Sequence, residues 1–114
     1  MNLKTPGVLL GAAVTVALVS CATGPNPAYA PPPIPPGGGA PLVTDAEGAQ
    51  ARALFVNKCT RCHKFYNPAN YNDAEWREWF TKMSKKAKLD AGQDELLARY
   101  LEVFRTHSTL RTNR

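Results

Sequence analysis

The stretch Asn72-Asp73-Ala74-Glu75-Trp76-Arg77-Glu78-Trp79-Phe80-Thr81-Lys82-Met83-Ser84-Lys85-Lys86-Ala87 decides the fold class of this chain. Asn72 followed three residues later by Glu75 is a capping pair, which marks a helix start by satisfying the orphan N–H groups of its first turn. Counted from Trp76, the apolar residues Trp79, Phe80, Met83 and Ala87 fall at helical spacing on one side of such a helix. The same punctuation recurs on both sides. Thr44-Asp45-Ala46-Glu47 opens a segment carrying Ala46, Ala49, Ala53, Leu54 and Phe55 up to about Lys58. Asp90-Ala91-Gly92-Gln93 opens another that carries Leu96, Leu97, Tyr100, Leu101 and Phe104. No run alternates with the period of a strand, so the expectation is an all-α domain of three helices over about residues 44–107. The tail Ser108–Arg114 is expected to fray.

Composition bounds the rest. The chain has 114 residues, and eight of its 10 prolines lie between Pro25 and Pro41. Setting aside that segment and the apolar N-terminus leaves about 70 residues, room for one small domain but not for a large sheet, a solenoid or a multidomain enzyme. A core of that size usually needs a disulfide, a metal or a cofactor as a staple. The formal net charge of +5 lacks the dense Lys/Arg stripe of a nucleic-acid binder, so no nucleic acid is expected as partner.

Between the first two helices stands Cys59-Thr60-Arg61-Cys62-His63. Cys-x-x-Cys-His is the attachment signature of c-type haem. Two thiols three positions apart reach the two vinyl groups on one porphyrin edge, and the next residue places an imidazole beneath the iron. Other readings of the same residues exist. A thioredoxin-like pair expects a βαβ setting, which is absent. A zinc site would need four ligands, and the candidates Cys62, His63 and distant His107 come with no second Cys pair. A plain Cys59–Cys62 disulfide encloses too short a loop to stabilise much and leaves His63 unexplained. One covalent haem c is the expected cofactor. For the sixth position on the iron Met83 is the candidate, since a thioether suits haem iron and His/Met ligation raises the reduction potential. A gap-filling core methionine is the plainer alternative. His107 is a rival ligand, although at the end of the last helix it can simply meet terminal carbonyls.

With these motifs in place, residues 44–104 resemble a small class I cytochrome c domain, which implies a compact three-helix fold around haem. Phe55 stands four residues before Cys59, and Tyr100-Leu101 lies in the last helix, as in that family. The resemblance implies that first and last helices cross near the haem edge, with Ala51 or Gly48 allowing close approach. It also implies that the Pro68 carbonyl accepts the Nδ1–H of His63, and that Trp76, Tyr66 and Tyr71 line the pocket or reach a propionate, with ordinary core packing as the equal alternative for these three. The short span from His63 to Met83 is similar to that of compact bacterial domains and implies an exposed haem edge. The implied function is one-electron transfer by a His/Met monohaem carrier, a partner or subunit of a redox enzyme and not itself an enzyme. The alternative is a haem sensor or peroxidase-like unit with an open sixth position. Lys82, Lys85, Lys86 and Lys88 read either as a docking patch for an acidic redox partner or as a solvated helix end.

The N-terminus reads as an address. Lys4 precedes an uncharged apolar run, Val8–Val19, which as a helix would span about 18 Å, short of the roughly 30 Å of a bilayer core. It ends in Leu18-Val19-Ser20-Cys21, which resembles a bacterial lipobox. The resemblance implies a signal peptide over 1–20, a lipid on Cys21 and a membrane-anchored protein on the periplasmic side, with the outer membrane preferred. Cleavage after Ala28-Tyr29-Ala30 is the alternative, and it would discard Cys21. Residues 21–43 carry the lipidated Cys and then a Pro/Gly-rich tether with a reach of roughly 60 Å when extended.

Overall fold

The structure is a computed structural model and describes residues 24–107. The signal peptide over 1–20, Cys21 and the tail 108–114 lie outside the described residues. Three helices form where the capping pairs place them: α1 (Asp45–Lys58), α2 (Asp73–Ala87) and α3 (Ala91–Thr106). Each starts with a complete capping box, Thr44 with Glu47, Asn72 with Glu75 and Asp90 with Gln93, so six otherwise orphaned N–H groups find acceptors. No strand occurs among the described residues, and no helix among them is long and apolar enough to cross a membrane. Lys88 ends α2 in the left-handed region, at φ 54°, a conformation that a glycine adopts at less cost.

The core is the seam between α1 and α3. Ala51 and Phe55 of α1 are buried with Leu96, Leu97, Tyr100, Leu101, Val103 and Phe104 of α3. Of the two small residues in α1, Ala51 is fully buried in this cluster, whereas Gly48 is half-buried. α2 runs antiparallel to α3 and is tied to it by side chains near both ends, Asp73 to Arg105 and Ser84 to Asp94. Trp76 and Phe80 pack against the core from α2, yet no residue of α2 is fully buried. Trp79 is 48% exposed, with the Lys82 ammonium 5.3 Å from its ring centre. At 100° per residue Trp79 sits about 60° round from Trp76, on the margin of the stripe that Trp76, Phe80, Met83 and Ala87 share. It is therefore a flank of the apolar face and not its centre.

The largest difference from the sequence reading is in the Pro/Gly-rich segment. Where composition reads a free tether, residues 26–43 lie along the helices. The Arg52 Nε–H donates to the Pro31 carbonyl at 3.3 Å, the Gly37 N–H to Asp45 Oδ1 at 2.8 Å, and Arg99 Nη1 to the Leu42 carbonyl at 2.8 Å. Pro31 and Val43 are buried. The physical reason is entropic: a proline-rich chain has few conformations to lose, so a handful of contacts suffices to order it. Gly39 belongs to the same fit, since a Cβ there would sit 2.6 Å from Val43 Cγ2, and Gly37 holds φ +72°.

Candidate functional site

The Cys-x-x-Cys-His run begins where α1 ends. Cys59 caps α1, its N–H donating to the Phe55 carbonyl, and the chain then turns back, Cys62 N–H reaching the Cys59 carbonyl at 3.4 Å. Both cysteines are free thiols, Cys59 half-buried and Cys62 exposed. Burial, and secondarily the neighbouring Cys62, pushes the Cys59 thiol up to about 11, so it is protonated at neutral pH. Between them Thr60 is only 2% exposed. Its hydroxyl donates to the Val56 carbonyl at 2.6 Å and its oxygen accepts the Asn26 N–H at 2.8 Å.

His63 is half-buried, with the exposed Tyr66 ring 5.1 Å away. Its Nδ1 lies 2.8 Å from the Lys64 carbonyl oxygen. A carbonyl only accepts, so Nδ1 carries the proton and Nε2 of the neutral ring keeps a lone pair, the form in which imidazole binds a metal. The acceptor differs from the resemblance, which assigns that role to Pro68. Pro68 is buried and opens a short 3-10 turn, Pro68–Asn70, with its carbonyl accepting the Tyr71 N–H at 3.2 Å. Lys64 is simply nearer in sequence, and a one-residue reach needs no organised loop. His107 caps α3, its Nδ1 3.1 Å from the Val103 carbonyl, which fits the reading of a histidine at terminal carbonyls.

Aromatic side chains tie the loop to the core. Phe65 meets Phe55 edge-on at 5.8 Å and Phe104 at 5.2 Å between ring centres. On α2, Trp76 lies between Tyr71 at 6.3 Å and Phe80 at 6.1 Å. Met83, one turn further on, is half-buried and outside the packed cluster that includes Trp76 and Phe80. Lys85, Lys86 and Lys88 are exposed, and Lys82 pairs with Glu78 at 2.7 Å.

Among the described residues no cluster of three or more His, Cys, Asp or Glu side chains is placed to hold a metal ion. The soft donors of the candidate site are the Cys59 and Cys62 thiols and the His63 imidazole on one loop, with the Met83 thioether separately on α2. Two thiols and an imidazole on one loop are the donor types that a covalent haem would take. Comparison with known proteins finds no matching family model, no matching curated protein and no matching solved structure. Sequence reasoning overlooked Thr60, Phe65 and the Lys64 carbonyl. Only Phe65 leaves a signal, an aromatic residue two positions after His63. A buried threonine and a main-chain acceptor leave none.

Proposed function

We propose that this chain is a lipid-anchored monohaem c-type cytochrome that carries single electrons on the periplasmic side of a bacterial membrane. One observation carries the reading. In Cys59-Thr60-Arg61-Cys62-His63 both thiols are free and the imidazole tautomer leaves Nε2 able to bind iron. When bound, haem supplies a reversible one-electron couple of the iron. Cys59 and Cys62 would hold it through thioethers, and His63 would ligate the iron through Nε2. Met83, half-buried on α2, would be the second protein ligand of the iron, with Trp76 and Phe80 on the same face of that helix.

The anchoring now has a shorter leash than composition suggests. With residues 26–43 against the helices, only the few residues after Cys21 remain to span the gap, about 18 Å at full extension. A domain held that near the lipid exchanges electrons with partners at the same surface, and an acidic docking face would meet Lys85, Lys86 and Lys88.

The test is a visible spectrum of the protein exported by a host competent for haem attachment. Six-coordinate low-spin haem with the weak red thioether-to-Fe(III) band, and colour retained in SDS, is expected. Met83→Ala should abolish that band and lower the potential. Its cost to the fold should stay under about 1 kcal/mol, against the 2–5 kcal/mol of a truly buried methionine. An unchanged spectrum removes Met83 from the iron; rapid CO binding by the reduced wild type favours an open-iron sensor; colourless protein ends the proposal.

A further inference from the structure

The segment that composition marks as a spacer touches the haem-attachment loop on both sides of His63. Upstream, the Asn26 N–H donates to Thr60 Oγ1 at 2.8 Å. Downstream, the Phe65 N–H donates to the Tyr29 carbonyl at 2.9 Å. Between those two points the segment makes a short 3-10 turn, Pro27–Tyr29, whose first N–H is capped by Asn26 Oδ1 at 3.0 Å, and Pro31 beyond it is buried. So the six residues of loop Thr60–Phe65, with His63 among them, are pinned at two places by the segment Asn26–Pro31 from outside the helices. Thr60 is the junction, because the same hydroxyl also donates to Val56 at 2.6 Å and thereby joins segment, loop and α1. It is the one buried polar residue among those described.

We infer that Asn26–Pro31 is a brace that positions His63, and that Thr60 is its latch and a positioning residue for the iron site. The inference rests on the haem reading above and adds to it a role for a segment outside the helices. The chemistry is geometric. An imidazole whose ring is oriented by a hydrogen bond to the very next carbonyl turns with the local main chain, so any play in residues 60–65 is transmitted to Nε2, the atom that would ligate iron. Holding the loop at 60 and 65 removes that play.

Three full-length variants separate this from simple structural support. Thr60→Val keeps the shape of the side chain but loses both hydrogen bonds. Thr60→Ser keeps the hydroxyl. Replacing residues 26–31 by Gly and Ser at constant length leaves every motif residue in place and relaxes the brace. Two readouts are taken on exported protein: amide hydrogen exchange at Phe65, which does not depend on haem, and the reduction potential. Thr60→Val and the Gly/Ser replacement should each speed Phe65 exchange at least tenfold. Both should favour the oxidised form by threefold or more, as water gains access to the charged iron, while Thr60→Ser stays within twofold of wild type in both. Red protein with unchanged exchange and potential overturns the brace and leaves the haem reading intact. Faster exchange at an unchanged potential overturns the positioning role and reduces the segment to a support of the fold. Colourless wild type overturns the haem reading and, with it, this role.

Discussion

Tyr100 offers a test of the core in which the sign itself is informative. It lies on α3 at the seam with α1, is 1% exposed, and its ring meets Phe104 edge-on at 5.5 Å. Its hydroxyl is buried and has no hydrogen-bond partner in the protein. A buried polar group without a partner costs about 1–3 kcal/mol. Tyr100→Phe removes that cost and keeps the ring, so the variant should gain about 1–2 kcal/mol. For a domain of this size each kcal/mol moves Tm by roughly 4–8 °C. Burial also pushes the phenol up to about 12 from 10.0, with nearby Arg52 opposing the shift. The neutral form is thus the favoured one in the fold. Its contribution is complete below pH 10 and is lost as pH rises through 12, a change on the order of 2–3 kcal/mol. Urea denaturation at pH 7 and at pH 11, comparing wild type with Tyr100→Phe, reads both effects. The variant should be the more stable at pH 7 and should lose less between the two pH values. A loss of 1 kcal/mol or more at pH 7 would refute the reasoning. It would mean that the hydroxyl is satisfied, for instance by water in the 260 Å³ cavity that Tyr100 lines with Arg52, Val43 and Gly39.

Two further outcomes follow from groups with displaced titration. The Thr44 N–H first, and then the Arg99 guanidinium 3.1 Å away, hold the Glu47 carboxylate down at about 2. Its support is present above pH 4.5 and is lost as the pH falls through 2, so acid unfolding of Glu47→Gln should show a weaker pH dependence across that window. Before haem attachment, the half-buried Cys59 thiol should alkylate more slowly than exposed Cys62, and its rate should climb as the pH approaches 11. Mass spectrometry after a short maleimide pulse checks the order; prior labelling of Cys59 would contradict its burial.

What could be read in advance follows from how local each feature is. Thr44, Asn72 and Asp90 each bond to an N–H three residues on, so the helix starts depend on adjacent residues and little else. The Cys-x-x-Cys-His run is equally local, since its meaning lies in a five-residue spacing. The partner of His63 Nδ1 was misplaced because main-chain carbonyls are identical in sequence and are distinguished only by where the loop carries them. Trp79 was set on the apolar face because helical spacing gives an angle, not the width of the surface that covers it.

From its residues alone, then, this protein declares three capped helices, a motif of two thiols and an imidazole, and a proline-rich stretch ahead of them. Tertiary structure decides where that stretch goes. It lies across the loop that carries His63, with Asn26 on Thr60 and Tyr29 on Phe65. Those contacts join residues 34 and 36 positions apart through main-chain atoms and one hydroxyl. Such bonds form only when the fold has already brought the partners together, and no periodicity or composition records them in advance.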